Sequence, residues 1–227
     1  MVPKDRKAEP KGRKAEPNLP RAVVEELAST ARPGKEAPLL EVFERAAEAF
    51  ASGDYGEASR LGEQAKQMAL RAASVRELLG LSYYHLERYK DAARELSAFR
   101  RITASAEQNH VIADCYRAAG RPDRALELVA EMSPSEVGPD VYAEGVIVAA
   151  GALADMGKID EAIARLERED LRPPTARERH IRMWYMMGDL LERKGKFTQA
   201  RSYFEAVLAA DPGLTDAGDR LRRLGGR

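Results

Sequence analysis

Apolar and small residues recur along this chain at offsets that are multiples of the helical turn. The anchor is an alanine that returns five times, at Ala58, Ala92, Ala125, Ala162 and Ala200, with spacings of 34, 33, 37 and 38 residues. Twelve residues before it stands another small residue: Ala46, Gly80, Ala113, Ala150 and Gly188. Nine before it come Tyr83, Tyr116, Leu153 and Leu191, with only Ala49 in the first copy. Four after it come Leu96, Val129, Leu166 and Phe204, with Gly62 as the exception. Seven after it stand Phe99, Met132 and Val207, but also Ala65 and Glu169. Polar segments such as Gly53-Asp54, Glu87-Arg88, Gly120-Arg121, Gly157-Lys158 and Gly195-Lys196 separate the two halves of each copy. Each unit therefore reads as two amphipathic helices joined by a tight turn. The small residue on the first helix and the alanine on the second mark where the axes cross. A period of this length predicts stacked units rather than one closed core.

The pattern resembles the tetratricopeptide repeat family. The last copy carries the resemblance best, through Trp184, Met187-Gly188, Leu191, Ala200, Phe204, Val207 and Asp211-Pro212. The second matches through Leu79-Gly80, Tyr83, Ala92, Leu96 and Phe99, and the third through Ile112-Ala113, Tyr116 and Ala125. The first and fourth depart further, and Trp184 and Pro212 are the only copies of the family's early aromatic and closing proline. The resemblance implies an all-α, right-handed α-solenoid of about five helix-turn-helix repeats over residues 38–212, closed by a capping helix within residues 213–227. The Arg- and Ala-rich composition and basic leader are also similar in style to small actinobacterial proteins with such repeats, which implies a bacterial, cytoplasmic setting.

Composition narrows the picture further. The 227 residues carry 37 basic and 37 acidic side chains, so the chain is formally neutral. The single Cys115 excludes an intrachain disulfide framework and fits a reducing compartment. No apolar segment follows the basic start, so no secretory signal is expected, and the apolar stretch 146–154 is far short of a membrane span. Residues 1–37 read as a basic, largely disordered leader with a short helix at 19–30, broken from the repeats by Pro33-Gly34. Residues 1–21 alone carry seven basic and three acidic side chains. At the other end Leu214, Leu221 and Leu224 predict a short amphipathic helix that covers the last repeat.

In the family the first helices line a concave groove. On that register the groove would receive Glu77, Tyr84 and His85 from the second repeat, and His110, Asp114 and Arg117 from the third. It would receive Arg182, Tyr185, Asp189 and Glu192 from the fifth, and an apolar floor of Ile147, Gly151 and Ala154 from the fourth. Aromatics, both charge signs and an apolar floor suit an extended or helical peptide. The positions that in some relatives grip a C-terminal carboxylate here carry Phe43, Ala47, Leu78, Glu107 and Val111, so no such clamp is implied. His110 and Asp114 share a helix face, and with His85 on a neighbouring helix they raise zinc as a remote alternative to a polar lining. His180 reads as a surface residue. Gly151 and Gly157-Lys158 miss the phosphate-loop spacing by one residue, and Ile159 stands where a hydroxyl is needed. No catalytic constellation emerges, and no cofactor or metal is expected. The leading expectation is a non-catalytic adaptor or scaffold that binds a protein segment. RNA or ribosome association through the basic ends is the alternative, and self-association through an open array end is a third.

Overall fold

The computed structural model describes residues 19–225, which form helices without a strand. Residues 1–18, most of the expected basic tail, lie outside the described residues. After α1 (Arg21–Thr30) come five antiparallel pairs: α2 (Glu36–Ala51) with α3 (Tyr55–Met68), α4 (Ala73–His85) with α5 (Tyr89–Thr103), and α6 (Asn109–Ala118) with α7 (Pro122–Ala130). A single turn, α8 (Pro134–Val137), precedes α9 (Pro139–Asp155) with α10 (Ile159–Leu166). The last pair is α11 (Glu178–Arg193) with α12 (Phe197–Ala210), followed by α13 (Ala217–Gly225). The two longest repeat spacings have visible causes. α8 occupies the segment between the third and fourth pairs, and an irregular strap over residues 167–177 joins the fourth to the fifth.

The pairs stack because each second helix also packs on the next first helix, α3 on α4, α5 on α6, α7 on α9 and α10 on α11. The first helices touch one another in succession, whereas the second helices are spread apart. The array therefore bends toward its first helices, which form the concave side. The crossings are as the periodicity predicts. Ala46, Ala58, Ala92, Ala113, Ala125, Ala150, Ala162 and Ala200 are all completely buried. At Gly80 a Cβ would overlap Leu96 Cγ, and at Gly188 it would stand 2.7 Å from Phe204 Cε1. Gly62, the exception in the pattern, lies similarly close to the next unit, 2.9 Å from Leu79. The turn inside each pair needs a left-handed residue, supplied by Gly53, Gly120, Gly157 and Gly195. In the second pair Glu87 takes that conformation at φ 57°, where a side chain costs about 1 kcal/mol or more.

Both ends are closed. The helix expected within 19–30 is α1, and it is part of the folded body. Leu27 is buried beside Leu39, Phe43 and Val75. The Glu26 carboxylate accepts from the backbone N–H groups of Ala73 and Ser74 and from the Ser74 hydroxyl, so it caps the positive end of α4. The Arg32 N–H donates to the Met68 carbonyl at 2.9 Å and ties the following turn to α3. At the other end α13 packs on α12 and buries Ala217 and Leu224.

One charge is deeply enclosed. Glu95 on α5 is 1% exposed and is held by Arg76 at 2.5 Å, Arg94 at 3.1 Å and Lys66 at 3.2 Å. Burial pushes its carboxyl up, but the Arg76 and Lys66 contacts outweigh it and hold the group below its ordinary value. Its stabilisation is complete above the ordinary carboxylate range and is lost as pH falls through the lowered value.

The packing and the enclosed charge each have a mutational signature. Gly80→Ala should cost about 1–3 kcal/mol by overpacking against Leu96. Gly151→Ala, where a Cβ meets Arg117 at an ordinary 3.5 Å, should be neutral or slightly stabilising. Urea denaturation of both variants checks the contrast. Glu95→Ala should cost about 3–5 kcal/mol, since its cations lose a buried partner. Glu95→Gln should flatten the acid limb of thermal stability between neutral pH and the carboxylate range, read by melting at stepped pH.

Candidate functional site

The concave face is built from α4, α6, α9 and α11, and its polar side chains are tied to one another across the helices. The Tyr84 hydroxyl donates to Asp114 Oδ2 at 2.6 Å, and Arg117 Nε donates to Asp114 Oδ1 at 2.8 Å. Arg117 then reaches across Gly151 to Asp155 at 3.0 Å, so one ladder links α4, α6 and α9. Burial and the bond to Asp114 push the Tyr84 phenol well above its ordinary value, so the hydroxyl stays a donor at neutral pH. Glu77 accepts from Gln108 at 2.8 Å, and burial pushes its carboxyl up. His110 is half-buried, and its Nδ1–H donates to the Glu107 carbonyl at 3.0 Å. Burial, with Arg182 adding to it, lowers the His110 imidazole below its ordinary value, so it is neutral at pH 7.

Further along, Arg182 Nε meets Glu144 at 2.8 Å. The two occupy the same register in consecutive repeats, eighteen residues before Ala162 and Ala200 respectively. Burial pushes the Glu144 carboxyl up despite Arg182. Beside this pair Ile147, Tyr185, Met186 and Leu214 wall an opening of about 380 Å³, with Arg182 and Thr215 at its edge. Its surface is mostly apolar, and Leu214 comes from the turn ahead of α13.

Several expected groove residues lie elsewhere or are occupied. His85 sits at the C-terminal end of α4, where its ring stacks on Tyr55 at 4.0 Å with an interplanar angle of 5°. His110 opens α6, at the opposite end of the parallel neighbouring helix, so the His85, His110 and Asp114 constellation does not form. Among the described residues no group of three His, Cys, Asp or Glu side chains is placed to hold a metal. Asp189 and Glu192 face the groove end but are engaged by Arg220 of α13, at 2.8 and 2.7 Å. The Tyr185 hydroxyl likewise donates to Asp216. His180 is 4% exposed, contrary to the expected surface position. Its Nδ1 accepts from the Arg177 N–H at 2.9 Å and caps α11, and burial lowers its pKa. Sequence reasoning missed Gln108, Asp155, Glu144 and Met186. Register could have found Glu144, but Gln108 precedes its helix and carried no periodic signal.

Asp114 is the shared acceptor of the ladder, so its neighbours should couple. Asp114→Ala should cost about 1–3 kcal/mol, and Tyr84→Phe alone about 1 kcal/mol. In the Asp114→Ala background, Tyr84→Phe should add little, and a urea double-mutant cycle measures that difference.

Comparison with known proteins agrees with this geometry. Residues 181–213 match the tetratricopeptide repeat model. No curated protein sequence matches the chain. A thermophilic tetratricopeptide-repeat protein of Thermus thermophilus superposes with a TM-score of 0.64 at 17% identity, covering 83% of this chain and 100% of that one. The quorum sensor NprR of B. thuringiensis, in its apo form, gives 0.68 at 15% identity over 88% of this chain and 61% of its own. YrrB, described as a tetratricopeptide-repeat protein with an unusual peptide-binding site, gives 0.52 at 17% identity over 80% and 90%. At such identities the likeness concerns the fold. Among the described residues no helix is long and apolar enough to cross a membrane. With its paired helices and small-residue crossings the chain has the all-helical solenoid fold of tetratricopeptide-repeat proteins, and its residues 181–213 match that family's repeat.

Proposed function

We propose that the protein is a non-catalytic scaffold that holds a segment of a partner protein in its concave groove. The observation that carries this reading is the apolar opening of about 380 Å³ between Ile147, Tyr185, Met186 and Leu214, with the Arg182 cation at its rim. An opening of that size takes one large apolar side chain of an extended or helical segment. Arg182, Glu144 and half-buried His110 offer charge and hydrogen bonds to the backbone and flanking residues on one side of it. The ladder from Tyr84 to Asp155 holds the groove wall in place before a ligand arrives, so little ordering entropy is lost on the receptor side. That a solved protein of this fold has a peptide-binding site supports the reading.

The nucleic-acid alternative gains no support from the described chain. Its N-terminal basic segment is mostly outside the described residues, and Arg220 in the C-terminal helix is engaged with Asp189 and Glu192. Stacking of copies through the C-terminal end is disfavoured because α13 already covers it.

The test is selection of peptides from a phage-displayed random library against the full chain, followed by affinity measurement. Selected peptides should share an apolar anchor and lose about ten-fold or more in affinity with Ile147→Asp, as loss of a buried anchor implies. Arg60→Ala, on exposed α3, should leave the affinity unchanged. Peptides that bind Ile147→Asp and Arg182→Ala as well as the parent would overturn the groove assignment.

A further inference from the structure

Because the second helices do not pack on one another, clefts open between them on the convex side. One of about 510 Å³ runs along α5 toward the turn between α6 and α7, and its chemistry differs from that of the concave groove. Lys90, Arg94, Arg101 and Arg121 line it with the rings of Tyr89 and Tyr116, and no carboxylate does. Arg94 is neutralised by Asp91 at 2.8 Å and by Glu95. Lys90, Arg101 and Arg121 pair with no carboxylate among the described residues. The Arg121 guanidinium lies over the Tyr116 ring, 5.4 Å from its centroid. Cys115 forms part of the wall, and burial pushes its thiol up to about 12, so it adds no negative charge at neutral pH.

The repeat architecture does not require these cations. At the three register positions of Lys90, Arg94 and Arg101 the other repeats carry Gly56, Arg60 and Gln67, then Asp123, Glu127 and Pro134. The remaining two carry Asp160, Ala164 and Leu171, and Thr198, Ser202 and Ala209. Arg121 stands at a turn position that is basic in most copies. In two of the other copies a carboxylate three residues on pairs with it, Arg88–Asp91 and Lys158–Glu161, and after Lys196 that position holds the neutral Gln199. After Arg121 that position holds another cation, Arg124, which turns instead to Glu127. The chain has as many acids as bases, yet this cleft gathers four basic side chains and no acid along its wall.

We infer that the cleft between α5, α6 and the α6–α7 turn is a binding site for a compact phosphate-bearing ligand with two or more phosphate groups. A concave surface of one sign focuses its field on an incoming anion. Guanidinium groups match phosphate oxygens in pairs, and the ammonium of Lys90 adds a mobile point charge. Lys90 and Arg101, eleven positions apart, are separated by ~16 Å of helix, enough for a chain of phosphates rather than one. The cleft volume also leaves room for a base beside the two tyrosine rings.

The experiment is isothermal titration of the full chain with sodium triphosphate and with ATP, both without divalent cations, at about 50 mM and about 200 mM salt. The wild type should bind triphosphate, more weakly at the higher salt. Lys90→Ala/Arg101→Ala and Arg121→Ala should each lose about ten-fold or more, as removal of charge-assisted phosphate contacts implies. These exposed, unpaired side chains should be removable without a change in melting temperature, which separates lost binding from lost folding. Tighter binding of ATP assigns the tyrosine rings to a base, and equal binding assigns the site to the phosphate chain alone. No heat with either ligand at low salt overturns the inference. So does an equal loss in the control Arg71→Ala/Arg168→Ala, which would reduce the effect to diffuse surface charge, and so does binding of single-stranded RNA without binding of triphosphate.

Discussion

The close approach of the two helices in each pair is the constraint on which the rest of this molecule depends. At every crossing one helix presents Gly or Ala and the other presents the anchor alanine, and all of the alanines at these positions are fully buried. A β-carbon at Gly80 would overlap Leu96, and one at Gly188 would overlap Phe204. Leu96 and Phe204 are themselves buried to completion, so neither has space to yield. The crossing distance sets how far apart successive pairs can stack, and hence whether side chains on neighbouring first helices can meet. The ladder from Tyr84 to Asp155 exists only because three first helices are brought within one side-chain length of each other.

The same packing makes the two faces unlike. First helices touch along the whole array, while second helices touch their own first helix and the one that follows but not one another. The concave face is consequently continuous and internally bonded, and the convex face is interrupted by clefts. Residues on the concave face answer to neighbours on both sides, so charges there occur in matched sets such as Arg182 with Glu144. Residues on the convex clefts meet a neighbouring second helix only through long side chains, as Arg100 of α5 meets Glu131 at the end of α7. An unmatched set such as Lys90, Arg101 and Arg121 is therefore free of packing constraint. Glu95 is the exception on α5, and three cations from three helices were needed to bury it.

The fold was legible because helix pairing leaves a periodic trace in residue size. The spacing of five alanines gave the pairs, and the Leu214, Leu221 and Leu224 offsets gave the C-terminal helix within a few residues. The site was less legible, because register says which face a residue is on and nothing about what lies opposite. Asp189, Glu192 and Tyr185 lie on the expected face, but Arg220 and Asp216 of the C-terminal segment meet them there. His85 has a groove register, yet it is the last residue of its helix, where the ring turns to Tyr55 instead. His180 reads as polar and terminal in the sequence, and its burial follows from a capping bond visible only in three dimensions. The fixing of α1 by Glu26 at the N-terminus of α4 joins residues almost fifty positions apart, beyond any local pattern.

The matched charges also decide where on the concave face a ligand can gain most. Each hydrogen bond in this partly exposed ladder contributes about 1–3 kcal/mol. A ligand that displaced Tyr84 or Arg117 from Asp114 would have to replace those bonds before it gained anything. Asp189 and Glu192 are closed in the same way by Arg220. Between these two satisfied regions lie Ile147, Met186 and Leu214, whose apolar surface loses no partner when it is covered. Covering it releases roughly 25 cal/mol for every Å² removed from water, with no competing bond to break. On the proposed reading, selectivity on this face falls to the apolar opening and to the Arg182–Glu144 pair at its rim, with the ladder acting as rigid support rather than as the contact surface.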